Sequence, residues 1–119
     1  MPAGRKDKIL DTATTNDSGI TSTIVSGLLD YEDVILFIEE ENTNAVEYQV
    51  EVTPAFYPLE PTGSDDITAK WYTLLAWTDL AKDGEIALAI GDAWDAVRVK
   101  VRSDVTATAG VVSVWVNRK

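Results

Sequence analysis

Polar and apolar positions alternate most strictly between Val46 and Thr53. Val46, Tyr48, Val50 and Val52 fall on one side of an extended chain, and Glu47, Gln49, Glu51 and Thr53 on the other. A period of two specifies a strand with one buried and one wet face. Upstream, Val34 to Ile38 is apolar at consecutive positions, the signature of a central strand covered on both faces. Between the two runs, Asn42-Thr43-Asn44 supplies residues that tolerate the positive φ of a tight turn, so the pair predicts a hairpin. Alternation returns in Ala96–Arg102, with Val97, Val99 and Val101 facing in and Arg98, Lys100 and Arg102 facing out. The last strand, Val111–Asn117, places Trp115 on the face opposite Val112, Val114 and Val116, beside Ser113 and Asn117.

The rest of the chain is less regular. Lys8–Asp11 fits a short first strand, and Thr12–Ser18 a loop or a loosely paired edge. The β-branched run Ile20–Val25 fits an edge strand, and Ser26–Tyr31 a turn carrying apolar residues. Pro54, Pro58, Pro61 and Gly63 exclude a ladder strand from the long connection that follows, while Phe56, Tyr57 and Leu59 imply that part of it packs down. Lys70–Trp77 is the next strand; Thr78–Gly84 reads as a short helical turn or a loop closed by Asp-Gly. Glu85–Ile90 alternates like a strand, though its alanines leave a helix open. About seven or eight short strands at this spacing define an all-β fold: an antiparallel β-sandwich, jelly-roll or immunoglobulin-like. Residues 1–8 are expected to be a flexible N-terminal arm and residues 9–119 a single sandwich domain.

Composition narrows the chemistry. Cysteine and histidine are both absent, which removes disulfides, thiolate metal sites, the Cys nucleophile and the commonest general base. A net charge of −10 with a pI near 4.2 disfavours phosphate binding, so nucleic acid is not an expected partner. No apolar run approaches the roughly 20 residues of a membrane span, and Met1–Lys8 leads into no signal core. The chain is expected to be made in a cytoplasm with no membrane partner. The charge is also unevenly spread: no Lys or Arg lies between Ile9 and Ala69, whereas Arg5, Lys6, Lys8, Arg98, Lys100, Arg102, Arg118 and Lys119 gather towards the ends. Either this is a solvated acidic surface, or copies of the chain and basic scaffolds meet through complementary charge.

No residue set dictates a reaction. Glu39–Glu41, Asp65-Asp66 and the pair Asp92 and Asp95 supply carboxylates, but at no calcium-loop or glycosidase spacing. Serine is present without an activating base, a nucleophile elbow or a Gly-rich phosphate loop. The expectation is a non-enzyme with no catalytic residue, no cofactor and no metal ligand set. The aromatics remain. Trp71, Tyr72, Trp77, Trp94 and Trp115, with Phe56 and Tyr57, fill a core or line a contact surface. Trp71 and Tyr72 are strand neighbours, so one of them points outward. A sugar-stacking platform on a carbohydrate-binding β-sandwich module is the alternative these rings allow.

The arm Met1–Lys8, the segment DVILFIEEENTNAVEYQVEV, the loop-bounded WYTLLAW, and the pair DAWDAVRVKVRS and VVSVWVNRK together resemble the small acidic all-β structural proteins of tailed bacteriophages, above all head-decoration (cement) proteins. The likeness spans nearly the whole chain as a style of sequence, without a diagnostic motif. It implies a virion protein that stabilises a capsid by binding phage coat protein or other virion subunits. Such a protein self-associates, often as a trimer, and clamps neighbours through its arm. On this reading the partner-binding residues are Arg5, Lys6, Lys8, Trp71, Tyr72, Arg98, Lys100, Arg102 and Trp115.

Overall fold

A computed structural model describes residues 7–56, 69–91, 93–104 and 108–119. Eight strands form two four-stranded sheets: β1 (Asp7–Thr14), β2 (Ile20–Thr21), β3 (Val34–Glu40), β4 (Val46–Thr53), β5 (Tyr72–Leu80), β6 (Glu85–Ile90), β7 (Ala96–Ser103) and β8 (Val111–Arg118). One sheet has the order β1-β8-β3-β6 and the other β2-β7-β4-β5. The antiparallel pairs nest around the chain midpoint, β1 with β8, β2 with β7, β3 with β6 and β4 with β5. Two further pairings, β3 with β8 and β4 with β7, close the sheets. This is one long hairpin rolled into a double-sheet sandwich, the jelly roll, and it sets aside the immunoglobulin-like alternative.

Valine dominates the core because β-branched side chains stand well on a pleated, two-sided interior. Val46, Val50 and Val52 of β4, Val97, Val99 and Val101 of β7, and Val112, Val114 and Val116 of β8 are fully buried with Leu36 and Ile38 of β3. Each such side chain contributes roughly 1.5–3 kcal/mol relative to exposure.

The expected hairpin between β3 and β4 does not form. The strands lie in opposite sheets, and Glu41–Ala45 carries the chain over the end of the sandwich. In opposite sheets, the apolar sides of β3 and β4 face each other across the one core. The turn itself is as read, with Asn42 at φ 61. Glu40 holds it. Its fully buried carboxylate accepts the Thr43 N–H at 2.9 Å, the Thr43 hydroxyl and the Asp83 N–H at 2.8 Å, with longer contacts at 3.4 Å from Asn44 and Val111 N–H. One side chain therefore ties the β3–β4 crossover to the β5–β6 turn and to the start of β8.

Other boundaries move for local reasons. The β5 strand runs to Leu80, through the stretch read as a helical turn or loop, because Val46 to Tyr48 pair with Leu80 to Thr78. Its turn into β6 closes through Gly84 N–H to the Ala81 carbonyl at 2.8 Å, with Asp83 at φ 58. Instead of running from Ile20 to Val25, β2 stops at Thr21. Ser22 turns its hydroxyl onto the Val99 N–H, and Thr23 N–H crosses to the Ile9 carbonyl in the other sheet. The first strand, read over Lys8–Asp11, is longer, beginning at Asp7 within the expected arm and running to Thr14; Arg5, Lys6 and the rest of the arm lie outside the described residues.

Candidate docking face on the outer side of one sheet

The wet side of the β2-β7-β4-β5 sheet carries an ordered array. Antiparallel register sets Glu47 opposite Arg102, Gln49 opposite Lys100 and Glu51 opposite Arg98. Arg102 Nε donates to Glu47 Oε1 at 2.8 Å, Arg98 Nε donates to Glu51 Oε1 at 2.9 Å, and Lys100 Nζ lies 3.2 Å from the same oxygen. These groups are partly buried, with side-chain exposures between 13% and 34%, so solvent screens them less than free surface ions.

Two indoles cover the guanidiniums. Arg98 lies 4.1 Å from the ring centre of Trp71, and Arg102 lies 4.0 Å from that of Trp77. At this distance the ring quadrupole attracts the cation. Trp77 is rooted on β5, yet a Cβ added at Gly19, next to β2, would be 3.8 Å from its Cη2. Its indole therefore reaches across the sheet from one edge towards the other. The face is a pair of Glu–Arg–Trp stacks with Lys100 and Gln49 between them.

Of the residues singled out from sequence, Trp71, Arg98, Lys100 and Arg102 come together here. Tyr72 does not: strand alternation turns it to the Val52 side, 44% exposed, with its ring 6.1 Å from Trp94 and Lys70 5.6 Å above it. Lys8 and Trp115 meet on the outer side of the other sheet, the ammonium 5.0 Å from the ring centre, and Lys8 also pairs with Asp11 at 2.7 Å. Arg5 and Lys6 fall outside the described residues. The sequence offers Trp77 only among the rings that fill a core or line a contact surface, and Glu47 and Glu51 only as the wet side of a strand. Their signal exists only once β4 is known to lie between β7 and β5.

The calcium readings fare differently. Asp95 is engaged in the fold, its Oδ2 accepting the Phe56 N–H at 3.0 Å, while Asp65, Asp66 and Asp92 lie outside the described residues. Glu47, Asp79 and Asp104 bring three carboxylate oxygens within 4.8 Å of one another, enough to hold a hard cation in principle. Glu47, however, already accepts from Arg102. A depression of about 380 Å³ on the other sheet is lined by Asp33, Ile35, Phe37, Asn117 and Lys119, and shows no convergent set of reactive groups.

Compared with known proteins, the chain matches no family model and no curated sequence.

Proposed function

We propose that this chain is a non-enzymatic structural protein of a virion, a decoration or stabilising protein that seats on repeating coat subunits. The observation that carries the proposal is the face of paired Glu–Arg–Trp stacks. Three of the ten cations in a chain of net charge −10 stand on one strand, each held by a carboxylate. Side chains fixed in this way lose little further entropy when a partner arrives, and Trp and Arg are the residues that dominate protein contacts. The jelly roll supports the reading by analogy, since capsid proteins use it, but lectin domains use it as well. The carbohydrate alternative is weakened by the same geometry. A guanidinium occupies a face of both Trp71 and Trp77, where a sugar ring would stack.

The test is co-fractionation. When lysate of the producing host is banded on a density gradient, the chain should sediment with virus particles, at a copy number matching the lattice symmetry. Recovery only among soluble proteins, with bands of intact particles lacking the chain, contradicts the proposal.

A further inference from the structure

Among the described residues four strands stand at sheet edges, β1, β6, β2 and β5, and three of them are blunted. Along β1 the register with β8 shifts twice, and Thr12 sits at φ 43. Two register shifts likewise interrupt β5 against β4, and β2 is two residues long. Bulges and short length are the usual protections against strand pairing between chains. The exception is β6. Its six residues, Glu85–Ile90, run in unbroken register against β3, and among the described residues no strand lies on its other side. It contains no proline and no lysine, and its single charge stands at one end. Ile86 and Leu88 point towards the core but remain half-exposed, and Ala87 and Ala89 are exposed on the outer side.

We infer that β6 pairs antiparallel with β6 of a second copy, joining two four-stranded sheets into one of eight strands about a two-fold axis. The sequence selects the register. Only registers that keep inward residues opposite inward residues preserve the core side. Centring the axis on Leu88 satisfies this, and sets Ile86 opposite Ile90, Ala87 opposite Ala89 and Glu85 opposite Gly91. All three inward apolar residues are then matched, and no like charges face each other. Shifting the centre to Ala87 would strand Ile90 against Gly84. The occupant is thus a second copy, because the strand is complementary to its own reverse. The resemblance to decoration proteins implies a three-fold assembly instead, so the two contacts differ in symmetry.

Light scattering of the full chain over rising concentration tests the inference. The mass should climb from 13.0 kDa towards twice that value, and further in higher salt, where repulsion between two chains of charge −10 is screened. In A87K/A89K each Lys faces a Lys of the other copy, and the dimer should be lost. The substitutions lower net charge to −8 (−10 + 2), so global repulsion cannot account for that loss. A87E/A89K places opposite charges in the same register and should restore the dimer. A87C/A89C keeps the side chains small, and the native chain has no cysteine. Mild oxidation of this variant should give a closed cross-linked dimer. A chain that stays monomeric, a trimeric mass, a dimer that survives A87K/A89K, or no interchain disulfide in A87C/A89C would each overturn the inference. None of these results bears on co-fractionation with particles.

Discussion

The guanidinium of Arg102 lies 4.0 Å from the ring centre of Trp77 while its Nε donates to Glu47. A side chain held from two directions at once is ordered before any partner arrives. In a double-mutant cycle with Trp77→Leu and Arg102→Gln, read by urea unfolding, the pair should couple by about 0.5–1 kcal/mol. Arg102→Lys should lose most of that coupling, since an ammonium cannot lie flat on the indole. Coupling indistinguishable from zero would mean the stack is not ordered in solution.

Glu40 predicts a pH dependence. Burial pushes its carboxyl upward, but hydrogen bonds from Thr43, Asp83 and Val111 outweigh burial and hold it below the ordinary glutamate value. A carboxylate depressed on folding adds stability above its unfolded pKa, and that stability is lost as pH falls through the lower folded value. The wild-type melting temperature should therefore drop on acidification beneath the usual carboxylate range. Glu40→Gln turns an amide donor towards groups that already donate, and should cost roughly 1–3 kcal/mol near neutrality. The acid slope of the variant should be shallower than that of the wild type. An equal slope would assign the acid loss to other groups.

Two glycines separate steric from conformational cost. A Cβ at Gly110 would overlap Val46 Cγ1 and sit 2.6 Å from the Asn44 carbonyl oxygen, beside the turn that Glu40 holds. Gly110→Ala should destabilise by about 1–3 kcal/mol through forced movement of backbone. Gly27 has open space around it but a φ of 72, so Gly27→Ala should cost only the left-handed strain, about 1 kcal/mol. Thermal melts of the two variants rank them directly, and the reverse order would contradict the packing at Gly110.

The sequence made the strands of this protein legible where the pattern is local. Valines at every second position in β4, β7 and β8 announce a buried face without knowledge of the partner strand. Sheet membership is not local. The β3–β4 crossover looks like a hairpin because Asn42–Asn44 suits either connection, and only the shared core decides between them. Glu40 stands between two other glutamates and reads as one more surface acid, although the fold buries it against donors from Thr43 and Asp83. The candidate face was half legible: Arg98, Lys100 and Arg102 are visible as an outward stripe. Their counter-ions Glu47 and Glu51 are about fifty residues away in sequence, and the reach of Trp77 towards Gly19 depends on strand order.

We propose that this protein docks through the stacked face, and the salt dependence of attachment to purified virus particles tests this most directly. Attachment should weaken on the order of tenfold between low and moderate salt. Lys100→Gln, which removes one cation while leaving both indole stacks, should reduce that dependence and raise the dissociation rate. Attachment that ignores salt and is unchanged in Lys100→Gln would contradict the claim and place the docking surface elsewhere on the molecule.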